Sequence, residues 1–153
     1  MAELLNKSRQ VVSYLILFLA FSQLANCSVK LVADYDAAVA ESIIEVAQRV
    51  DTFYTRLLET PQDERKYVKS VDNYIAIEVE LRSLVMRNKI RRLNDESIEI
   101  AETTLEKWSK YKKAHKENDL YKDALVLLHR ERFTKLFTAM AIAEEAKRLT
   151  SED

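Results

Sequence analysis

Apolar side chains recur at steps of three and four residues over most of this 153-residue chain, beginning after residue 34. The first stripe consists of Val39, Ile43, Val46, Val50, Phe53 and Leu57. Alternating steps of four and three place all six on one helical face, the pattern of a coiled coil or bundle seam. Asp34 or Asp36 is a suitable N-cap. The pattern predicts an amphipathic helix that ends near Glu59.

A second helix is predicted to start almost at once. Thr60 is a plausible cap, and Pro61 suits the first helical position, where its missing N–H costs nothing. The apolar stripe of this helix contains Tyr67, Tyr74, Ile77, Leu81 and Leu84. A very short loop makes consecutive helices antiparallel neighbours. Asn94, followed by Asp95, marks the next break, because asparagine tolerates the left-handed conformation in a chain without glycine.

Two further helices follow with weaker stripes. The third stripe contains Ile98, Ala101, Leu105 and Trp108, and then decays towards Lys112 and His115. A break at Asn118 and Asp119 precedes the fourth stripe, which contains Leu125, Val126, His129, Phe133, Leu136, Phe137, Met140 and Ala143. The fourth helix is expected to end near Leu149. The sequence thus predicts an all-α, antiparallel up-down four-helix bundle over residues 34–150. The alternative is three long helices, the last one bent.

The composition supports helices and excludes several functional classes. The chain contains no glycine and one proline. Phosphate-binding loops, the dinucleotide-binding fingerprint and the nucleophile elbow all require glycine. The net charge of −1 offers no field for nucleic acid. A single cysteine excludes an internal disulfide and cysteine-rich metal sites.

The N-terminal residues follow the order of a secretory signal peptide. Lys7 and Arg9 give a basic start, residues 11–21 are almost wholly apolar, and small residues come next. A membrane-spanning helix needs about 20 apolar residues, so this run is short for a span. Ala20 and Ser22 offer one small-x-small cleavage site. An uncleaved anchor is another alternative.

Leu24, Ala25 and Cys27 resemble the lipobox of bacterial lipoproteins, with Asn26 in place of the usual small residue. The resemblance covers residues 1–27 and implies that the Cys27 thiol is lipidated and becomes the new N-terminus. Ser28, rather than aspartate, follows the cysteine, which by the same resemblance implies the outer membrane in a Gram-negative source. The expected organisation is a signal peptide (1–26), a lipidated tether (27–33) and a helical bundle domain (34–150).

No residue set predicts catalysis, a metal or a cofactor. A di-metal bundle needs Glu three residues before each His, but Lys112 precedes His115 and Val126 precedes His129. His129 lies on the apolar stripe and is the one buried polar site that we single out. It is either a ligand or proton-linked switch, or a core histidine with a hydrogen-bond partner. The basic clusters at 87–92 and 107–116 are interpreted as solvated helix ends, with contact to an acidic surface as the alternative.

These observations predict an exported, membrane-tethered envelope lipoprotein that faces the periplasm. The domain is expected to be non-catalytic and to bind an envelope protein or itself through a helix face. The alternative function is a periplasmic bundle that binds a small apolar or haem-like ligand, with His129 and Met140 near its cavity.

Overall fold

The computed structural model describes residues 31–151, with side chains to residue 150. Its four helices are α1 (Ala37–Glu59), α2 (Val71–Lys89), α3 (Asp95–Asn118) and α4 (Asp123–Ser151). Two short 3-10 turns, Gln62–Glu64 and Tyr67–Ser70, connect α1 to α2. Within residues 31–151 there is no strand.

The helices form an antiparallel up-down bundle, as the sequence predicts. Both α1 and α3 pack against α2 and α4. The start of α1 meets the end of α4, where the Asp36 N–H donates to Glu144 Oε1 at 2.8 Å. The alternative of three helices with a bent last rod is wrong. Asp119, at φ 46°, ends α3 in the left-handed conformation, and α4 begins as a separate helix at Asp123.

Helix α1 confirms the heptad prediction. All six residues of its predicted stripe are buried. Asp36 is the N-cap, since one carboxylate oxygen accepts hydrogen bonds from the N–H groups of Ala38 (2.9 Å) and Val39 (3.1 Å). This cap satisfies two of the donors that the first turn leaves without an intrahelical partner.

The predicted start of the second helix at Pro61 is wrong, because α2 begins ten residues later at Val71. The Thr60 hydroxyl donates back to the Arg56 carbonyl at 2.8 Å rather than capping a new helix. Arg65 lies buried in this connection and donates to the carbonyls of Thr60 (2.8 Å) and Tyr121 (3.0 Å). The bond to Tyr121 joins the connection to a segment 56 residues away, so tertiary contacts rather than local propensity determine the loop.

The apolar face of α3 also differs from the prediction. Its buried residues are Ser97, Ala101, Thr104, Trp108, Tyr111 and His115. They keep the heptad spacing to the end of the helix, whereas Leu105 is only partly buried. The prediction that the core-facing stripe fades towards Lys112 and His115 is therefore wrong. Polar side chains occupy core positions here because each has a partner, as in the Thr104 hydroxyl, which donates to the Ile100 carbonyl at 2.7 Å.

The turn between α2 and α3 places the left-handed residue one position earlier than predicted. Leu93 has φ 57°, whereas Asn94 has φ −125°. Asn94 is buried, and its amide donates to the Asn88 carbonyl (3.0 Å) and to Asn88 Oδ1 (2.9 Å). Asn94 is thus engaged in a side-chain network, and the adjacent leucine takes the strained conformation.

Candidate functional site

An open apolar groove runs between α1 and α4, with a volume of about 980 Å³. From α1 it is lined by Ile44, Ala47, Gln48, Val50, Asp51 and Thr52. From α4 it is lined by Arg130, Phe133, Thr134, Phe137, Thr138, Ala141, Ile142, Glu145, Ala146 and Leu149. The groove therefore follows most of the length of α4 along one seam of the bundle.

Small side chains create the groove, and larger apolar side chains border it. Ala47 and Ala141 leave space above the seam, whereas Ile44 is 50% exposed and Ile142 is 64% exposed. At the far end, Arg130 and Asp51 form an ion pair between the helices, at 2.7 and 3.2 Å. Solvent-exposed apolar residues gathered in one concave strip are typical of an interaction or ligand site.

The structure buries His129 among aromatic side chains. Its ring stacks on Tyr111 with centroids 3.5 Å apart and planes 3° apart. The Tyr121 hydroxyl and His129 Nδ1 form a hydrogen bond, and Arg132 donates to the Tyr111 hydroxyl at 2.8 Å. Burial, with a smaller contribution from the charge of Arg132, lowers the pKa of His129 to about 4. The imidazole is therefore neutral at pH 7.

His115 lies at the same end of the bundle, although the sequence pattern gave it no role. Its Nε2 lies 2.8 Å from the Arg65 carbonyl, which can only accept, so Nε2 carries the proton. Nδ1 then accepts from the Tyr74 hydroxyl at 3.0 Å. Burial lowers the pKa of His115, while the Arg65 carbonyl and Asp119 oppose the shift. Both ring nitrogens thus serve the core, and only the tertiary contacts could reveal this.

The opposite end of the bundle holds a buried ionic cluster that the sequence analysis missed. Glu144 is 2% exposed and accepts from Arg91 at 2.8 and 3.0 Å and from Lys147 at 2.8 Å. Lys147 also donates to Asn94 Oδ1 (2.6 Å) and Ser97 Oγ (2.8 Å). Burial raises the pKa of Glu144, but its hydrogen bonds outweigh this and lower the pKa overall.

His129 and Met140 lie on the same helix eleven residues apart, about 16 Å along its axis, too far to ligate one iron atom. Among the described residues, no cluster of histidine, cysteine, aspartate or glutamate has the make-up of a metal site. Across residues 31–151, none of the helices has the length and hydropathy for a membrane span. Cys27, the predicted lipidation site, lies outside the described residues.

The fold and these sites define a class, an antiparallel four-helix bundle with polar clusters buried at both ends and an apolar groove along one side. No protein-family model, curated protein sequence or solved structure matches the chain.

Proposed function

We propose that this protein is a membrane-tethered envelope lipoprotein whose helical domain is a non-catalytic binding module. The observation that carries the binding role is the apolar groove between α1 and α4. The proposed anchor rests on the lipobox-like residues ending at Cys27, preceded by a basic start and a short apolar run. Two or three acyl chains at one cysteine would hold the domain stably at the bilayer surface.

The groove has the dimensions for an amphipathic helix of an envelope partner. Its α4 lining extends from Arg130 to Leu149, about 28 Å at 1.5 Å per residue, which matches about five helical turns. A partner helix would bury its apolar face against Ile44, Phe137 and Ile142, by the helix-in-groove mode of recognition. Nine of the sixteen lining residues are apolar and three are charged, so apolar contact would dominate the binding energy.

The buried ionisable groups support a binding role rather than catalysis. Both ring nitrogens of His115 are hydrogen-bonded within the core, and His129 is stacked on Tyr111 and bonded to Tyr121. Glu144 is held by two cations. These groups are engaged by structural partners, and none of them lines the open groove. A catalytic acid or base needs a hydrogen-bonding position that substrate can reach.

Site-specific photo-crosslinking in cells tests the groove. A photoreactive amino acid at Ile142, which lines the groove, is compared with one at Val79, which is similarly exposed on α2 (64% and 60%). We expect a discrete protein adduct from position 142 and none from position 79, and Ile44→Glu should abolish the adduct. Equal adducts at both positions would contradict a groove-specific partner. Adducts with a small apolar molecule instead would favour the ligand-binding alternative.

The anchor needs a separate test. Intact-mass measurement of the membrane fraction compares the wild-type chain with Cys27→Ser. We expect a wild-type species that begins at Cys27 and carries two or three acyl chains, and no acylated species for Cys27→Ser. A wild-type species that begins at Gln23 without lipid would refute the anchor and leave the groove hypothesis standing.

A further inference from the structure

The residues just before α1 are fixed to one end of the bundle. The Ala33 N–H donates to the Leu93 carbonyl at 2.9 Å, and the Ala33 side chain is buried. Arg91 donates to the Asp34 carbonyl, and the Asp36 N–H donates to Glu144. Three hydrogen bonds thus tie residues 33–36 to the α2–α3 turn and the end of α4. The predicted tether of residues 27–33 therefore has a fixed last residue.

Chain length then limits the distance between this end and Cys27. Six residue steps separate Cys27 from Ala33, which span at most about 20 Å when fully extended. The opposite end of the bundle lies farther from Ala33, because α4 alone, with its 29 residues, is about 44 Å long. A lipid on Cys27 would therefore keep the end that carries Ala33 within about 20 Å of the bilayer, whereas the tether sets no such limit for the opposite end.

The same end carries exposed apolar side chains, which we call the tether-end face: Val32, Ile90 and Leu93. Ile90 is 78% exposed, Leu93 is 52% exposed, and Val32 is also exposed. The Ala33–Leu93 hydrogen bond brings Val32 next to the turn that contains the other two. Arg92 is exposed on this turn, and no hydrogen bond or ion pair engages it within residues 31–150. The carboxylates of Asp95 and Glu96 follow on the first turn of α3.

Leu93 provides a second, independent observation. At φ 57° a leucine is strained, because its Cβ crowds the backbone, whereas glycine or asparagine adopts this conformation readily. A turn under selection for stability alone would favour asparagine here. An exposed, strained leucine therefore indicates that an apolar side chain is needed at this point of the surface.

We propose that the tether-end face rests on the bilayer that holds Cys27, with Ile90 and Leu93 inserted among the lipid headgroups and Arg92 against their phosphates. The proposal rests on the lipid anchor of the proposed function. The tether-end face lies at an end of the helices, so the bundle stands upright on the membrane. The groove then runs along the membrane normal, and the end with His115 and His129 projects away from the bilayer.

Fluorescence quenching tests this orientation on the full lipidated chain. Ile90→Cys and Val68→Cys are labelled with the environment-sensitive fluorophore NBD. The two positions are equally exposed (78% and 76%), but Val68 lies in the α1–α2 connection at the opposite end. Each protein is reconstituted into vesicles of phosphatidylethanolamine and phosphatidylglycerol that contain lipids spin-labelled near the headgroup. We expect a blue shift and loss of intensity for the label at position 90, and neither for the label at position 68.

Two further measurements separate the causes of failure. Intact mass of the same samples reports whether Cys27 is lipidated, since an acylated thiol takes up no fluorophore. Unlipidated protein would refute both the anchor and the orientation. Lipidated protein with equal quenching at positions 90 and 68 would refute the orientation alone. Leu93→Asn in the Ile90→Cys background should fold with an undiminished melting temperature and show weaker quenching, whereas unchanged quenching would remove Leu93 from the contact.

Discussion

Protonation of His129 should destabilise the bundle in mild acid. The folded protein holds this imidazole neutral, with a pKa of about 4, whereas the unfolded chain binds a proton near pH 6.5. The contribution of His129 to the free energy of unfolding is therefore fully present above pH 6.5 and is lost as the pH falls towards 4. Linkage gives a loss of about 2 kcal/mol by pH 5 and about 3 kcal/mol by pH 4. That is a large part of the stability of a domain of this size.

His129→Gln isolates this effect, because glutamine does not titrate and its side-chain amide can either donate to or accept from the Tyr121 hydroxyl that bonds to Nδ1. Urea unfolding at several values between pH 7.5 and pH 4.5 gives the free energy of unfolding of both proteins. We expect the variant to be less stable at pH 7.5, because it loses the stack on Tyr111. The difference should shrink by about 2 kcal/mol on going to pH 5.

Other titrating groups do not affect the difference in stability between the two proteins. His115 also has a lowered pKa, so its contribution is likewise lost as the pH falls below its ordinary value, but it is present in both proteins and cancels in their difference. Glu144 and Glu78 have lowered pKa values, so their contribution to stability is lost as the pH falls from the ordinary carboxylate range to more acidic values, and it is common to both proteins. A difference that stays constant from pH 7.5 to pH 4.5 would refute the inference that His129 is buried in its neutral form.

Three further predictions concern stability alone and use urea or thermal unfolding at pH 7. Glu144→Gln should cost about 3 kcal/mol because it leaves the buried Lys147 and the partly buried Arg91 without their counter-charge, while Glu145→Gln at the surface should leave the melting temperature unchanged. Similar losses for both variants would contradict the buried cluster. Leu93→Asn should stabilise by about 1 kcal/mol through relief of the positive φ, and a destabilised variant would count against strain there. Ile43→Ala should cost about 3 kcal/mol and Ile44→Ala under about 1 kcal/mol, since the first is buried and the second is half-exposed; the reverse order would mean that the α1 register is wrong.

The fold class could be predicted from local sequence, because the apolar stripe of α1 from Val39 to Leu57 is visible without knowledge of any distant partner. The Asp36 cap and the four-helix count follow from the same local rules. The local rules also placed His129 on a core-facing stripe. These rules could not identify the partners of His129, because Tyr111 lies on α3 and Tyr121 lies before the start of α4.

Polar residues at core positions could not be predicted from local sequence, because their burial depends on how the helices pack. Helix periodicity assigns polar residues to solvent, but Lys147 and His115 are buried because partners elsewhere in the fold satisfy them. The late start of α2 has the same origin, since Arg65 bonds to the carbonyl of Tyr121, 56 residues away. The groove likewise depends on how Ala47 of α1 and Ala141 of α4 face each other across a seam. Local sequence encodes which face of each helix is apolar, whereas the pairing of faces and the satisfaction of buried polar groups arise only when the four helices are packed together.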